Sequence, residues 1–346
     1  MDKALGFGIV GCGVIAPWHA NAIARVEGAR LVAVCDVIPE KAADLAAKHG
    51  DPRVYTDYHA LLADPAVDVV SICTPSGLHA EIAVAAARAG KHALSEKPMD
   101  VTLAKADAMI AAHRQAGTTL AVIFQRRTQP LFQYIKRTVE SGALGRMVLG
   151  DAYLKYFRSQ EYYDSASWRG TWALDGGGAL MNQGVHCIDL LRWIMGPVDS
   201  IFAYAAPLVR KIEVEDTAVA VIRWKNGAFG VLQGTTSVTP GMDHRLEFHG
   251  ERGSIRVEGE EVVEWNVPGV DPPGAKPEGE GGSAASDPRD IGADGHTIQV
   301  ADLVAAIRER RKPMVSGEDA RPAVEVILGV YQSARSGQPA EFPLQP

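Results

Sequence analysis

A lysine and a proline follow one of the apolar segments in the first third of the chain. The tripeptide Glu96-Lys97-Pro98 comes directly after a strand-like segment at 91–95. Because proline has no amide hydrogen and cannot continue a ladder, the strand must end there, which leaves Lys97 at the carboxyl edge of a sheet. Ligands of open α/β sheets bind at that edge. We therefore predict that Lys97 handles a substrate hydroxyl; the alternative is a surface lysine in a turn.

A glycine-rich turn near the start of the chain predicts a dinucleotide site. Gly11-x-Gly13-x-x-Ala16 follows a β-like segment and precedes a helical one. Gly11 allows the tight turn, Gly13 lets a phosphate approach the backbone, and Ala16 lets helix and strand pack closely. Free amides at the helix start favour a pyrophosphate, so Val14 and Ile15 are also predicted cofactor contacts. The alternative is a βαβ unit with an incidental glycine turn.

An acidic residue favours one cofactor over its phosphorylated form. Asp36 ends the second predicted strand, about 20 residues after the glycine turn, where a carboxylate binds the ribose hydroxyls of NAD. The same carboxylate repels the extra phosphate of NADP, and Val37 and Ile38 supply no arginine to offset this. NAD is therefore predicted, with NADP less favoured; the alternative for Asp36 is a strand-end cap.

Further residues at the same edge are predicted to contact the cofactor. Thr74 and Pro75 form a small polar loop after the fourth strand, and His79 opens the helix that follows. Glu96 precedes the lysine, and Gln125 follows the last strand of this part of the chain. For His79, a capping or packing role is the alternative.

A second polar pair lies after a run of glycines in the middle of the chain. Asn182 and His186 are four residues apart and so are predicted to share a helix face. Gly184 between them costs helix stability and often marks the close approach of a bulky group. Histidine takes a proton from an alcohol near neutral pH, which makes His186 a candidate base. A core histidine bonded to backbone is the alternative.

Several arginines and two tryptophans are candidates for binding the substrate. Guanidinium groups pair bidentately with carboxylates and phosphates. Trp168 and Trp172 flank one of these arginines and could stack on a sugar, although core packing explains them equally well. Each arginine alone could also be a solvated or salt-bridged surface residue. The candidates are Arg126, Arg127, Arg158 and Arg169.

The order of the predicted strands and helices that position these residues changes along the chain. Strand and helix patterns alternate up to Gln125, which predicts a doubly wound parallel sheet. Several strands without intervening helices then follow, and Asn226-Gly227 between two of them predicts a hairpin. We therefore predict an α/β protein, with an NAD-binding Rossmann domain at 1–125 and an α+β domain at 126–346 that has a mainly antiparallel open sheet. The glycine- and proline-rich stretch 267–292 is predicted to be an exposed loop.

Composition excludes several classes of protein. The chain has 346 residues and a formal net charge of −7, so no basic surface for nucleic acid is indicated. No apolar run reaches the roughly 18 residues of a membrane span, and a cytoplasmic protein is predicted. The four cysteines include no CxxC pair, so neither a zinc site nor a redox pair is indicated, and no metal is predicted.

The motif set resembles the Gfo/Idh/MocA family of oxidoreductases. The similarity rests on the glycine turn, Thr74-Pro75 with His79, Glu96-Lys97-Pro98, Asp175-Gly-Gly-Gly with His186, and a C-terminal stretch from His296 through Arg310 with Pro313. The resemblance implies a Rossmann domain followed by a domain whose open sheet often forms the subunit interface, hence a homodimer or homotetramer. It also implies hydride transfer between nicotinamide and a sugar-like secondary alcohol, and a cis Lys97–Pro98 peptide.

One position departs from the family pattern. Inositol and glucose dehydrogenases of the family typically carry aspartate four residues before the histidine, whereas this chain has Asn182. An amide cannot take a proton as a carboxylate does, so a proton relay ending at position 182 is in doubt, and Asn182 is expected to orient the hydroxyl. The sequence around Arg158, Trp168 and Asn182 looks closer to branches of the family that act on nucleotide-linked or acidic sugars, such as the UDP-N-acetylglucosaminuronate 3-dehydrogenases.

Together these observations predict an NAD-dependent oxidoreductase acting on a sugar or nucleotide-sugar. The predicted substrate contacts are Arg127, Arg158, Trp168, Arg169 and Asn182. Either Lys97 as an ammonium stabilises the developing alkoxide while His186 accepts the proton, or neutral Lys97 is itself the base; both assignments stay open. Three other functions also stay open: a dehydrogenase of a neutral sugar or inositol, a reductase with a tightly held cofactor, and a non-catalytic dinucleotide-binding regulator.

Overall fold

The computed structural model describes residues 3–274 and 294–345, which form two compact units. The first comprises Met1–Gln125 together with Ala293–Arg321, and the second comprises Arg126–Gly292 together with Pro322–Pro346. The predicted loop at 267–292 lies outside the described residues from position 275 onward. No helix in the described ranges combines the length and apolar composition that crossing a bilayer requires.

The first unit is a parallel sheet with helices between its strands. Its elements are β1 Leu5–Val10, α1 Ala16–Arg25, β2 Ala29–Cys35, α2 Pro39–Lys48, β3 Arg53–Tyr55, α3 Tyr58–Ala63, β4 Val69–Ile72, α4 His79–Arg88, β5 His92–Ser95, α5 Leu103–Ala116 and β6 Leu120–Val122. The six strands lie in the order β3-β2-β1-β4-β5-β6, and all neighbouring pairs are parallel. The strand order reverses between β1 and β4, which is the switch point where such sheets bind ligands. The predicted Rossmann sheet is confirmed.

A helix from far along the chain completes the core of this unit. Helix α9, Asp294–Glu309, buries Val300, Leu303 and Val304 in the same hydrophobic cluster as Phe7 and Ile23. The sequence-based division assigned everything after position 125 to the second domain. The structure keeps a boundary after Gln125 but groups 293–321 with the first unit, because α9 supplies apolar side chains to its core.

The second unit is built on one large sheet. Its elements are α6 Pro130–Glu140, β7 Met147–Lys155, α7 Gln160–Asp164, a π-helical segment Ala179–Gly184, α8 Val185–Met195, β8 Val198–Ala206, β9 Thr217–Trp224, β10 Phe229–Thr235, β11 Arg245–Gly250, β12 Ser254–Glu258, β13 Glu261–Asn266, most of α10 Gly317–Ser336, and β14 Ala340–Glu341. The order is β13-β12-β11-β7-β10-β9-β8-β14. Only the β7–β10 pair is parallel among these neighbours, so the predicted mainly antiparallel sheet is confirmed.

The hairpin at Asn226-Gly227 and the alternation of β9 show how the sequence sets this sheet. Strands β9 and β10 pair antiparallel, and Gly227 has φ of 89°, a left-handed value that suits glycine in a tight turn. Alternate residues of β9 are buried, while Val219 and Val221 between them are exposed. Tyr204 and Phe229 on the neighbouring strands are exposed as well. One face of the sheet is therefore apolar, and the residues that the structure describes leave it uncovered.

Candidate active site

The glycine turn has the geometry of a phosphate cradle. Gly11 has φ of 91°, and a Cβ there would lie 2.7 Å from the backbone of Cys73. Glycine is thus required by the close approach of the loop to the end of β4. A Cβ on Gly13, in contrast, would meet no protein atom within 4 Å, so the backbone is open on that side. Exposed Val14 and half-buried Ile15 continue the loop into α1, whose first amides follow it.

Asp36 is held against this loop by backbone amides. Its Oδ2 accepts a hydrogen bond from the amide of Cys12 at 2.8 Å, and its Oδ1 accepts one from the amide of Ile38 at 2.9 Å. The carboxylate is half-buried, and the flanking Val37 and Ile38 are exposed. An open backbone at Gly13 beside a fixed, partly exposed carboxylate fits a dinucleotide, with pyrophosphate at the loop and ribose at Asp36.

His79 joins the loops that follow β4 and β5. Its ring nitrogens lie 2.8 Å from the carbonyl oxygen of Pro98 and 2.9 Å from that of Thr74, and the side chain is buried. These contacts correspond to the packing role that the sequence left as an alternative. Thr74 and Pro75 are half-buried at the carboxyl edge, and Gln125 is half-buried just beyond β6. Their contacts with a cofactor stay predictions.

Lys97 lies where the sequence places it, at the end of β5. It is half-buried, and the Lys97–Pro98 peptide is cis, as the family resemblance implied. The preceding Glu96 turns its side chain into the unit, where Oε1 lies 3.0 Å from Nε2 of His19 and 3.3 Å from Nε2 of His296. Its other oxygen, Oε2, accepts a hydrogen bond from the Lys97 amide at 3.1 Å.

The helix that carries Asn182 and His186 differs from the regular helix predicted. Asn182 lies in the π-helical segment, and His186 lies in the first turn of α8. A Cβ on Gly184 would lie 3.0 Å from the carbonyl oxygen of Ala179 and 3.0 Å from a methyl group of Leu154. The bulky neighbour of this glycine is therefore the protein itself. Wider π-type turns often occur at functional sites.

A buried carboxylate holds the start of this segment. Glu215 accepts hydrogen bonds from the amides of Gly178 at 3.0 Å and Leu180 at 2.9 Å, and from the hydroxyl of Tyr331 at 2.9 Å. Burial raises the pKa of Glu215 to about 7 despite these donors. A side chain at position 178 would collide with the carbonyl of Glu215, which explains the glycine there.

Position 182 has an amide where the family pattern has a carboxylate, but the carboxylate of Asp175 contacts that amide. Asn182 donates a hydrogen bond from Nδ2 to Oδ1 of Asp175, whose Oδ2 accepts one from the amide of Gly170 at 2.8 Å. The Oδ1 atom of Asn182 accepts a hydrogen bond from Gln183 at 3.0 Å. Asn182 is thus fixed in orientation between an acid and an amide.

Two of the predicted substrate arginines join the same network. Arg158 donates from Nε to Oε1 of Gln183 at 3.0 Å, and Gln183 donates to the hydroxyl of Tyr162 at 2.9 Å. Arg169 also donates to that hydroxyl. The guanidinium carbon of Arg169 lies 4.3 Å from the ring centre of Tyr162 and 4.6 Å from that of Trp168. Both rings provide their faces to the cation.

Three other candidate substrate residues contact side chains outside this network. Arg127 forms a buried, bidentate ion pair with Asp189, so its guanidinium group is already bound to a carboxylate of the protein. Trp172 contacts Tyr331 and Arg335 rather than Arg169, and it does not form a wall with Trp168. Arg126 lies against His244, with 2.7 Å between Nη1 and Nε2.

Sequence reasoning missed the residues that connect the network. They are Tyr162, Asp175 and Gln183, and nothing in their spacing along the sequence distinguishes a bridging side chain from a packing one. His19 lies three residues after Ala16, and its only sequence signal is a histidine on the helix that follows the glycine turn.

Comparison with known proteins gives a consistent result over both units. Residues 5–124 match the model of an oxidoreductase family with an NAD-binding Rossmann fold, and residues 132–256 match the GFO/IDH/MocA C-terminal domain. The chain is 30% identical over 334 residues to myo-inositol 2-dehydrogenase of Thermotoga maritima, with 95% of each chain covered. It is 32% identical over 284 residues to levoglucosan dehydrogenase of Pseudarthrobacter phenanthrenivorans, with 72% of this chain and 73% of that one covered.

A solved structure is similar over the whole chain. The WlbA dehydrogenase from Bordetella pertussis, in complex with NADH and UDP-GlcNAcA, superposes with a TM-score of 0.89 at 35% identity, covering 99% of this chain and 100% of that one. The three relatives are thus two dehydrogenases named for myo-inositol and levoglucosan and one dehydrogenase solved with NADH and UDP-GlcNAcA.

Proposed function

The chain belongs to the Gfo/Idh/MocA family of oxidoreductases, and on that premise we propose that it oxidises a secondary alcohol of an acidic, nucleotide-linked sugar with NAD. The observation that carries the substrate class is the environment of Arg169. Its guanidinium lies between the faces of Tyr162 and Trp168, and no Asp or Glu pairs with it within 3–274 and 294–345. A preorganised cation without an acidic partner is suited to an anionic ligand.

Lys97 and His186 carry the chemistry in this proposal. A bound nicotinamide would supply the acceptor for the hydride of the carbinol carbon. The hydroxyl proton passes to the imidazole of His186, and the C–O bond becomes a carbonyl. The Lys97 ammonium donates a hydrogen bond to the oxygen, where negative charge develops. Asn182, fixed by Asp175 and Gln183, orients the hydroxyl.

The cofactor in this proposal is NAD rather than NADP. Asp36 is anchored by two backbone amides with its carboxylate beside the glycine turn, and no arginine follows it in the sequence. A fixed negative charge at the ribose position disfavours a second phosphate there. The NADH bound to the Bordetella relative supports this choice.

The network around Arg169 supports an acidic rather than a neutral substrate. Arg158 stacks against Tyr156 and Tyr162 and is linked through Gln183 to Tyr162. Two guanidinium groups are therefore held in place by aromatic rings and an amide, which lowers the entropy lost when an anion binds. Arg127 is not part of this proposal, because Asp189 already neutralises it.

The exposed face of the second sheet supports self-association. Val219, Val221, Phe229 and Tyr204 form an apolar surface larger than isolated exposed residues would give. We propose a homodimer or homotetramer formed through this sheet, which size-exclusion chromatography with light scattering would test; a monomer would contradict it. The cytoplasmic location stays a prediction from the sequence.

The substrate proposal is tested with a matched panel and NAD. We expect NADH formation with UDP-N-acetylglucosaminuronate, and at least ~10-fold lower kcat/KM with UDP-N-acetylglucosamine, which lacks the carboxylate. Arg169→Ala should raise KM for the acid and leave NAD affinity unchanged. Arg88→Ala, at an exposed position on α4, is the control for a lost positive charge. Efficient turnover of myo-inositol or glucose without activity on sugar acids would instead favour the neutral-sugar dehydrogenase. NAD binding without any turnover would favour the non-catalytic regulator.

A further inference from the structure

Three buried side chains from distant parts of the chain meet at Glu96, the residue that precedes Lys97. They are His19 on α1, Glu96 at the end of β5, and His296 on α9, and we call them the buried cluster. Their exposed fractions are 0%, 6% and 1%. Nδ1 of His19 lies 3.2 Å from the hydroxyl of Ser71 on β4, and the two imidazole rings meet edge to face with 5.3 Å between their centres. The cluster thus connects four elements of the first unit.

Glu96 is the acidic member of the buried cluster. Burial alone would raise the pKa of Glu96, but hydrogen bonds from His19 and His296 hold it well below its usual value. Burial lowers the pKa of His19, although its hydrogen bond to Glu96 acts in the opposite direction. Cys73, at the end of β4, faces the same carboxylate, and burial followed by the charge of Glu96 raises its thiol pKa well above the usual value. No Lys or Arg side chain in the described ranges forms an ion pair with Glu96.

The two carboxylate oxygens of Glu96 accept hydrogen bonds from different donors. An ionised carboxylate only accepts hydrogen bonds, so both histidines donate from Nε2 to Oε1. Oε2 accepts from the Lys97 amide, while the Glu96 amide donates to the carbonyl of Ile72 at 2.9 Å. The carboxylate therefore fixes the backbone from which the Lys97 side chain extends. Its charge is separated from the Lys97 amine by no more than one hydrogen bond and the length of the lysine side chain.

We propose that His19 and His296 hold Glu96 as a positioning residue for Lys97, which fixes the lysine backbone and keeps its side chain an ammonium. A nearby negative charge in a poorly solvated region favours the charged form of an amine. Lys97 then stabilises the developing alkoxide, and the proton acceptor is His186. This inference rests on the proposed function, and it decides between the two assignments that the sequence left open.

The same three ligand atoms lie within 4.8 Å of one another, which is also a distance at which a metal ion could be held. Direct hydrogen bonds already account for the convergence, and a structural zinc site would need a fourth ligand. The positioning role is therefore favoured. Elemental analysis of the purified protein should find no stoichiometric metal; one equivalent of zinc, lost in His296→Leu, would overturn the proposal.

A direct test measures the amine without requiring turnover. Lys97 is labelled competitively with an acylating reagent across a pH series, and the extent is read by mass spectrometry of its peptide. In Glu96→Gln, the labelling rate of Lys97 near neutral pH should rise about 10-fold or more, which corresponds to a pKa lowered by about one unit. Unchanged labelling of Lys97 in Glu96→Gln would overturn the proposal even if the enzyme turns over sugars as proposed.

Paired variants separate positioning from simple packing. His296→Gln keeps a donor to Glu96 and should retain labelling and kcat within about 3-fold of wild type, whereas His296→Leu should change both in the direction of Glu96→Gln. The Glu96→Gln/His296→Leu double variant should be no worse than Glu96→Gln alone. His113→Gln, at a buried histidine on α5 that bonds Thr118, is the control for losing an imidazole from this unit. Equal loss in the four single variants, His113→Gln included, would indicate packing only.

Turnover provides the second readout. If Lys97 acts as an ammonium, kcat/KM falls on the alkaline side of the pH profile as the amine loses its proton. Glu96→Gln should move that alkaline limb to lower pH and reduce kcat about 10-fold with little change in NAD affinity. Movement of the acidic limb instead would show that neutral Lys97 is the base and would contradict the inference.

Discussion

At the scale of single residues, the environment of each side chain decides which role it can have. Asp36 and Glu96 are both carboxylates at the same edge of one sheet. Asp36 is anchored by amides and stays partly exposed, which suits a ribose. Glu96 is buried between two histidines, which suits the support of a neighbour. Arg127 and Arg169 differ in the same way, because among the residues that the structure describes only Arg127 has a carboxylate partner.

Replacement of Asp36 should change the choice of cofactor. Asp36→Ala removes the ribose acceptors and the repulsion of the NADP phosphate, so NADH affinity should fall about 10-fold and the preference over NADPH should largely disappear. Asp36→Asn is the matched variant, since it removes the charge and keeps an acceptor for the Cys12 amide. Fluorescence titration with NADH and NADPH measures both. An unchanged ratio of the two affinities in both variants would refute the role of Asp36.

Position 182 gives a prediction in which sequence and structure differ. From the family pattern alone, Asn182→Asp should be tolerated. The structure places Asp175 in hydrogen-bond contact with Asn182. A carboxylate introduced at position 182 would therefore contact that of Asp175, and two carboxylates in contact cannot both ionise easily. We therefore expect Asn182→Asp to lose about 10-fold in kcat at neutral pH and to recover in Asn182→Asp/Asp175→Asn. Steady-state kinetics of the three proteins tests this; full activity of the single variant would show that the contact does not matter.

At the scale of elements, the two glycine-containing helix starts are set by backbone contacts. The turn before α1 approaches the end of β4, and the segment before α8 approaches Glu215. Each start is therefore fixed by a residue that follows much later in the chain, Cys73 just after β4 and Glu215 just before β9. The regular helix predicted at 182–186 begins instead as a π-helical turn, and these tertiary contacts give no local sequence signal.

The glycine turn allows a matched pair of variants. Gly13→Ala adds a methyl group that meets no protein atom within 4 Å, so the melting temperature should change little while NAD affinity falls at least ~10-fold. Gly11→Ala places a Cβ against the Cys73 backbone at a left-handed φ, so it should lower the melting temperature as well. Calorimetric titration and thermal melts distinguish them. Normal NAD affinity in Gly13→Ala would mean that no phosphate lies at this loop.

Glu215 predicts a pH-dependent stability of the second unit. Burial raises its pKa in the folded state to about 7, above the ordinary value of 4.5, so the folded protein binds this proton more tightly than the unfolded chain. The stabilisation is complete below the unfolded value and is lost as pH rises toward 7, with a slope of up to about 1.4 kcal/mol per unit.

A comparison with Glu215→Gln isolates this effect. Thermal melts between pH 5 and pH 8 should fall more steeply for wild type than for Glu215→Gln, because the amide does not titrate. The variant should be less stable at pH 5, since its amide cannot accept from both Gly178 and Leu180. Parallel pH dependence of the two proteins would contradict the raised pKa of Glu215.

At the scale of the whole molecule, local patterns predicted the elements and long-range contacts decided how they are used. The alternation of strands and helices, the Asn226-Gly227 turn and the end of β5 shortly before Pro98 are properties of neighbouring residues, and the structure confirms them. The grouping of α9 with the first unit depends on a hydrophobic cluster whose members, such as Phe7 and Val300, are nearly 300 positions apart. The buried cluster and the Asp175–Asn182 contact likewise depend on tertiary packing. Residue type located the candidate site, but it could not show which side chains were already paired.

We propose that the protein transfers hydride from an acidic nucleotide-linked sugar to NAD with the assistance of Lys97. The most direct measurement is the initial rate of NADH formation by wild type and by Lys97→Ala with UDP-N-acetylglucosaminuronate and NAD. We predict substrate-dependent NADH formation by wild type and a rate about 100- to 10,000-fold lower for Lys97→Ala, with NAD affinity unchanged, because an acid–base or electrostatic group contributes that much. Equal rates for the two proteins, or no NADH from wild type with any sugar acid despite normal NAD binding, would contradict it.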